Sequence, residues 1–379
     1  MRSSRSAKYI TRFAWFIRLD LINHTEYTYA VRDPGEALAA KEEVYMNAKE
    51  RLDAYTAGLP VDRRPNLTIV GSMVTQFNGI GVDTYCKDYR RMEEAARLAA
   101  HELELDFIQI ASDLAREAEG YGSVLEFSEK KLPTVVKYAL DDISGASALR
   151  PLRAREIPRL FDLVKATELA LKDGEIYPMT LAAGPMTVAG NIRGVEALLV
   201  DAIDEPEAVA QLLETVTETA LDFIDELANI GARYVYIADP VASLTTPAMY
   251  EELVLPMHKK LFERMESRGI RGRLHMCGNT LRILPYSCGC GARIIDIDHA
   301  VDMSKALDIV GDSCILNGNI DPVSDVYSCD AQHTYDAMME RARQAAGRRA
   351  MFMPGCELPT DTPIANVKAI ARALRDIGA

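Results

Sequence analysis

One plan recurs along the chain from about residue 60 onwards. A short apolar run of strand length is followed by a polar turn and then by a long amphipathic segment. Apolar strands that alternate with helices form parallel sheets covered by helices. Eight such units predict a (β/α)₈ TIM barrel, with strands at 66–71, 106–111, 178–184, 233–239, 271–277, 293–298, 313–319 and 350–355.

Amphipathic segments provide the helices of this plan. In 206–230 apolar residues recur at steps of three and four, Pro206 opens the segment and Gly231 follows its end. The stretch from 115 to 175 is too long for one crossover and predicts an insertion with extra helices. We therefore expect one barrel domain over residues 46–379, preceded by an N-terminal helical extension over residues 1–45. Further helices are predicted at 40–57, 88–104, 157–172, 247–268, 333–347 and 363–376.

Net charge and cysteine content indicate which partners and which cellular compartment the protein can have. A formal net charge of −13 argues against nucleic acid or an anionic membrane surface as a partner, because both would repel the chain. Seven scattered cysteines do not form the pattern of a disulfide framework and favour a reducing cytoplasm. The apolar patch near the start is broken by Arg18 and Asp20, which predicts that it does not span a membrane.

Polar and metal-binding residue types gather where the predicted strands end. In a barrel of this kind the chemistry takes place on the loops at the carboxyl ends of the strands. These ends carry Asp239 (strand four), His275 and Cys277 (five), Asp298 and His299 (six), Asn319 (seven) and Cys356 (eight). The predicted fold therefore places all of them on one rim.

His275, Cys277 and Cys356 are the candidate metal ligands. The spacing of two residues on a strand end points His275 and Cys277 to the same side, where Cys356 can meet them across the barrel. An imidazole and two thiolates suit Zn²⁺, and three protein ligands with an open position are typical of a catalytic zinc site. The alternative is that these residues simply pack in the core.

The remaining rim residues have two interpretations each. Asp298 is a candidate fourth ligand, or a carboxylate that orients a histidine, and His299 competes for that role. Asp239 either hydrogen-bonds substrate or caps the turn that follows it. Asn319 either contacts substrate or forms an Asx turn ahead of Pro322.

Six segments of the chain form a further pattern: KERLDAYTAGLPVDRRP, GPMTVAGNIRGVEALLVDAIDEPEAV, ADPVAS, HMCGNT, GNIDP and GCELPTDTPIANVKA. Over about residues 46–376 they resemble the uroporphyrinogen decarboxylase superfamily, and specifically its methylcobamide:coenzyme M methyltransferase branch. The resemblance implies a barrel, a zinc ion held by His275, Cys277 and Cys356, and methyl transfer from a corrinoid protein to a thiol such as coenzyme M. Asp239 and Asn319 would orient the substrate.

The corrinoid is expected on a separate protein, because the chain contains no D-x-H-x-x-G sequence for binding its lower face. One alternative is methyl transfer with another acceptor such as tetrahydrofolate, or demethylation of a small methylated compound. Another is a catalytically silent barrel whose zinc is structural. Decarboxylation of a porphyrinogen is a further alternative: Asp113 resembles the decarboxylase aspartate, but the segment after the first strand, GSMVTQFNGIG, has no basic residue.

Overall fold

A parallel seven-stranded sheet forms the centre of the molecule. The computed structural model describes residues 45–379, so the predicted extension over residues 1–45 lies outside the described part except for its last residue. The sheet order is β1-β4-β5-β6-β7-β8-β9, and every neighbouring pair is parallel. Its strands are Ile108–Ile110 (β1), Pro178–Ala183 (β4), Tyr234–Ala238 (β5), Arg271–His275 (β6), Ile294–Asp296 (β7), Ile315–Asn317 (β8) and Ala350–Met351 (β9).

Helices cover this sheet, as the sequence predicts. They are Ala48–Ala57 (α1), Val82–Lys87 (α2), Tyr89–Glu102 (α3), Arg116–Gly120 (α4), Pro158–Ala170 (α5), Pro185–Arg193 (α6), Val195–Asp204 (α7), Pro206–Asn229 (α8), Pro247–Met249 (α9), Leu255–Ser267 (α10), Leu284–Ser287 (α11), Met303–Val310 (α12), Ala331–Gln344 (α13) and Ile364–Ile377 (α14). Helix α8 illustrates why such segments pack on the sheet: the apolar residues on one of its faces, including Leu212 and Ile224, are buried. None of the helices between residues 45 and 379 combines the length and apolar character that crossing a bilayer demands.

The predicted first strand, 66–71, does not form a hydrogen-bonded strand. The segment lies between the two edges of the sheet: the Asn66 carbonyl accepts from the Asp106 N–H at 2.9 Å, and the Ile69 carbonyl accepts from the Leu358 N–H at 3.1 Å. Side-chain oxygens accept from several of its N–H groups: Gln109 Oε1, for example, accepts from the Val70 N–H at 2.9 Å. Between residues 45 and 379 the structure therefore has seven parallel strands where eight were predicted, and the segment 66–71 is not one of them.

Two other predicted regions differ in detail. The insertion over 115–175 contains α4, α5 and two short 3₁₀ turns, but also an antiparallel hairpin, Val124–Glu126 (β2) with Thr134–Lys137 (β3). The helix predicted at 247–268 is interrupted by a π-helical turn, Tyr250–Val254, between α9 and α10. Pro256, which has no N–H to donate, lies directly after this π-helical turn, in the first turn of α10.

Candidate metal centre

The ends of three neighbouring strands present one polar row. His275 closes β6, Asp296 closes β7 and Asn317 closes β8, and each is in register with the next. All three side chains are buried. Because residues in register on parallel strands lie side by side, the row forms a single layer at the carboxyl end of the sheet.

Cys277 and Cys356 complete a three-donor group with His275. The Nε2 atom of His275 lies 3.1 Å from the Cys277 sulfur and 3.7 Å from the Cys356 sulfur, and the two sulfurs are 3.0 Å apart. A tetrahedral zinc ion with bonds of about 2.3 Å to sulfur holds two sulfurs roughly 3.8 Å apart. Shifts of roughly 1 Å or less would bring these three donor atoms to the distances found in zinc sites. The donor set therefore fits the ion in both chemistry and size.

A close backbone approach brings Cys356 into the group. Residues 354–356 continue beyond β9, where the Gly355 N–H donates to the Ile320 carbonyl at 2.8 Å. A side chain on Gly355 would bring its Cβ within 2.4 Å of the His299 backbone nitrogen. The absence of a side chain therefore lets this loop lie against the end of β7 and places the Cys356 sulfur beside Cys277.

Asp296 fixes the orientation of the imidazole ring. Its Oδ2 lies 2.9 Å from Nδ1 of His275, and the carboxylate also accepts hydrogen bonds from Arg273 at 2.9 Å and from the Asn317 amide at 2.8 Å. A Nδ1–H donated to Asp296 leaves the lone pair of Nε2 directed at the sulfurs. Sequence reasoning missed Asp296, although the alternation that points Asp298 inward points Asp296 the same way.

Contacts among the three donors shift their pKa values. Burial would lower the pKa of His275, but the hydrogen bond with Asp296 and the contact with the Cys356 sulfur outweigh it and raise that pKa to about 9. The hydrogen bond between the two thiols raises the pKa of Cys277 and lowers that of Cys356. Before metal binds, Cys356 is thus the first of the two thiols to ionise.

Asp298, the predicted fourth ligand, lies beside the group with its oxygens engaged. Oδ2 accepts from the Gly278 N–H at 2.9 Å, and Oδ1 accepts from the Ala300 N–H at 3.2 Å and lies 2.7 Å from Nδ1 of His299. Within residues 45–379, the only group of three or more His, Cys, Asp or Glu donors with metal-binding spacing is His275, Cys277 and Cys356. Ligation by Asp298 stays a prediction, and the geometry favours a loop-bracing role.

Asp239 is fully buried and has internal partners on both oxygens. Oδ1 accepts from the Thr187 N–H at 2.8 Å and from its hydroxyl at 2.7 Å, in the first turn of α6. Oδ2 lies 3.0 Å from Nε2 of His258, whose Nδ1 lies 3.0 Å from the Tyr250 hydroxyl. This position does not favour the predicted substrate-orienting role, because a carboxylate that caps a neighbouring helix has no oxygen left for a ligand.

Asn319 is also buried, and the two ends of its side-chain amide differ in their hydrogen bonding. Its Nδ2 donates to the Asp298 carbonyl at 2.7 Å and to the Val301 carbonyl at 2.6 Å, which ties the loop after β7 to the end of β8. Its Oδ1 has no hydrogen-bond partner within the described part of the chain. The donor therefore has a structural role, and the predicted contact with substrate could use only the oxygen.

The other cysteines lie apart from this group. Cys290 and Cys314 are buried, and burial raises the pKa of each to about 12. Cys288 precedes β7 at the amino end of that strand, opposite His275 along the sheet direction. Cys290 and Cys314 therefore pack in the core.

Comparisons with known proteins identify the family. The chain belongs to the uroporphyrinogen decarboxylase (URO-D) family, whose profile matches residues 47–377. It is 26% identical over 337 residues to the methylcobamide:CoM methyltransferase MtbA of Methanosarcina acetivorans, covering 86% of this chain and 97% of that protein. It is 25% identical to a methylated-thiol–coenzyme M methyltransferase of Methanosarcina mazei, covering 87% and 90% of the two chains.

A solved structure shares the fold. A methyltransferase from Methanosarcina mazei superposes with a TM-score of 0.79 at 22% identity, covering 88% of this chain and 99% of that chain. At this identity the likeness concerns the fold alone. The superfamily predicted from the sequence is confirmed.

Proposed function

We propose that this chain is a methyltransferase that moves a methyl group from a corrinoid carried on a partner protein to a thiol such as coenzyme M. The single observation that carries the proposal is the convergence of His275, Cys277 and Cys356, which fits a zinc site with one open position. Its relatives, which are named as methylcobamide:CoM and methylated-thiol–coenzyme M methyltransferases, support it. The fold underlying the proposal is the (β/α)₈ barrel, with the segment 66–71 in the place of the first strand.

Residues of this chain prepare the site for thiol chemistry. Zinc bound to the three donors supplies an open position at which an acceptor thiol loses its proton and is held as a thiolate. Asp296 keeps a proton on Nδ1 of His275, so that Nε2 stays available as a ligand. A methylated corrinoid on the partner protein would supply the methyl group, and the acceptor thiol held beside His275, Cys277 and Cys356 would leave as a thioether.

Methyl transfer in the opposite direction is the second candidate. The relative named methylated-thiol–coenzyme M methyltransferase favours it, because its name describes a methylated thiol as donor. The ligand group would be the same, and a small thioether would deliver its methyl group to a corrinoid partner. The two candidates differ in the compound that is consumed, not in the site.

Two alternatives have less support from the geometry. A structural four-ligand zinc site would need Asp298 or His299, but the Asp298 oxygens already hold the loop and His299 Nδ1 lies 2.7 Å from one of them. Porphyrinogen decarboxylation would use Asp113, but its carboxylate forms a bidentate ion pair with Arg159 at 2.8 and 2.9 Å. This pair neutralises the charge that would hold pyrrole nitrogens.

A direct assay tests the proposal. The zinc-loaded protein is mixed with methylcobalamin and, separately, coenzyme M, homocysteine or tetrahydrofolate, and the Co(I) absorbance is followed. We expect Co(I) to appear with coenzyme M or another thiol, and not with a Cys356→Ala variant of intact fold. If none of the acceptors demethylates methylcobalamin, and no methylated thiol transfers its methyl group to Co(I), the methyltransferase proposal is wrong.

A further inference from the structure

A fully buried arginine lies behind the metal-binding group. Arg273 precedes His275 by two residues on β6, and it is 0% exposed. Because alternate residues of a strand point to the same face, the two side chains lie on the same side of the sheet. A charge that is removed from water without a partner strongly destabilises a folded protein. The groups that surround Arg273 therefore indicate why a charge is kept there.

Asp296 is the charged partner of Arg273. Nε of the arginine donates to both carboxylate oxygens at 2.9 Å, and Nη2 lies 2.9 Å from Oδ2, the oxygen that contacts Nδ1 of His275. The Asn317 amide donates to Oδ1 at 2.8 Å. Two nitrogens of one guanidinium on one carboxylate give geometric specificity as well as energy, so the arginine fixes the plane of this carboxylate.

The surroundings of Arg273 hold the guanidinium itself in place. Nη2 donates to the Leu67 carbonyl at 3.1 Å and lies 3.2 Å from the Met353 sulfur. The central carbon of the guanidinium lies 5.7 Å from the centre of the Phe107 ring and 5.6 Å from that of the Tyr236 ring, distances at which an aromatic face attracts a cation. These contacts come from four different segments of the chain, so the arginine is a rigid support for its carboxylate partner.

The contacts require a guanidinium rather than any cation. A guanidinium is planar, carries five N–H donors in a fixed fork and is not deprotonated in proteins. A lysine ammonium is a point charge, and it cannot hold two carboxylate oxygens and a carbonyl in the geometry seen at Arg273. Replacement of Arg273 by lysine therefore keeps the charge while it releases the plane of the carboxylate.

We propose that Arg273 is a positioning residue of the metal centre: it holds the Asp296 carboxylate against Nδ1 of His275 and so fixes the direction in which Nε2 meets the metal. The inference rests on the proposed function in one respect, because it takes a zinc ion to bind His275, Cys277 and Cys356. The charge of Arg273 balances that of Asp296, which leaves the charge of the zinc ion to the two thiolates. A ligand that is already oriented binds more tightly, because less conformational freedom is lost on binding.

Zinc affinities of paired variants test the proposal. The full chain is prepared as wild type, Arg273→Lys, Asp296→Asn and the double variant Arg273→Met/Asp296→Asn, and zinc affinity is measured by competition with a chromophoric chelator. We expect Arg273→Lys to bind zinc at least about threefold more weakly than the wild type, because the carboxylate is no longer fixed. The double variant should bind zinc within about threefold of Asp296→Asn, because the arginine acts through the carboxylate that this background lacks.

Arg116→Lys is the matched control. Arg116 is also 0% exposed, donates to the Leu181 carbonyl at 2.9 Å and pairs with Glu117 at 3.1 Å. Its substitution should leave zinc affinity within about threefold of the wild type, because it pairs with Glu117 and not with Asp296. The absorption bands of the Co(II)-substituted protein report ligand geometry. They should shift in Arg273→Lys and stay unchanged in Arg116→Lys.

Thermal unfolding verifies each variant, and Arg273→Gln, which keeps an amide donor but not the charge, replaces Arg273→Lys if that protein is unfolded. A folded Arg273 variant that binds zinc within about threefold of the wild type overturns the positioning role. An equal loss in Arg116→Lys, a loss of more than about threefold between Asp296→Asn and the double variant, or failure of both Arg273 variants to fold overturns it as well. Each of these results leaves the methyltransferase proposal standing, whereas a wild type that binds no zinc overturns both.

Discussion

His275 and Asp296 form the contact that orients the metal-binding imidazole: Nδ1 of the histidine lies 2.9 Å from Oδ2 of the aspartate, and both are buried. Carboxylates in this position typically contribute 10–100-fold to metal affinity. We therefore expect Asp296→Asn to weaken zinc binding by about 10–100-fold, measured by competition with a chromophoric chelator.

Asp298→Asn is the companion variant. It changes the carboxylate that the sequence suggested as the fourth ligand, and we expect its zinc affinity to stay within about threefold of the wild type, because its partners are loop N–H groups. If Asp298→Asn lost zinc affinity and Asp296→Asn kept it, the roles assigned to the two aspartates would be reversed.

Metal binding should release about two protons at pH 7. His275, with its pKa raised to about 9, and Cys277, whose pKa is raised, are protonated before metal binds, whereas Cys356 is ionised because its pKa is lowered. Zinc needs a free Nε2 and two thiolates, so binding displaces two protons and strengthens as pH rises towards 9. Calorimetry in buffers of different ionisation enthalpy measures the number, and a release near zero contradicts this assignment of protons.

Asp239 should act on stability rather than on substrate. Asp239→Ala removes the cap of α6 and the partner of buried His258, and such losses cost about 3–5 kcal/mol in the free energy of unfolding. The control Asp302→Ala, which removes the exposed N-cap of α12, should cost only about 1 kcal/mol.

Urea unfolding measures both losses. A well-folded Asp239→Asn protein with normal zinc content but strongly weakened thiol binding would instead support the substrate-orienting role that the sequence suggested.

The Arg51–Asp62 ion pair should give an acid-sensitive contribution to stability. Burial alone would raise the pKa of Asp62, but two hydrogen bonds of 2.7 Å from Arg51 outweigh it and lower that pKa. A carboxylate whose pKa is lower in the folded protein stabilises the fold at pH values above its pKa in the unfolded chain, about 3.9. This stabilisation is lost as the pH falls through the pKa in the folded protein. Asp62→Asn should therefore cost about 1–2 kcal/mol at pH 7, and the cost should shrink below about pH 4. A constant difference from pH 7 to pH 3 would contradict this.

The sequence predicted the sheet well where apolar runs were bounded by clear turns. Strands β4 and β5 begin and end within one residue of their predicted limits, because burial on both faces makes the whole run apolar. The segment 66–71 is also mostly apolar but forms no ladder, and Gln109 Oε1 accepts from the N–H groups of Val70 and Gly71. Such competition depends on neighbours that lie some 40 residues away, so local pattern could not reveal it.

The candidate site was predictable to the extent that it follows from strand ends. In barrels the catalytic residues lie at the carboxyl ends of the strands, and this rule predicted that His275, Cys277 and Cys356 lie close together. The two cysteines are 79 residues apart in the sequence. The rule does not say which rim carboxylate faces a ligand. Asp239 hydrogen-bonds the first turn of α6, whereas Asp296 contacts His275. Strand register and helix placement determine both contacts, and residue type alone does not reveal them.

X-ray absorption at the zinc edge tests the central claim most directly. For the purified wild-type protein we predict one zinc ion per chain with two sulfur ligands and nitrogen or oxygen in the remaining positions, and a third sulfur after coenzyme M is added. Absence of stoichiometric zinc, or a ligand shell with two sulfurs that does not change with any thiol, would contradict the account.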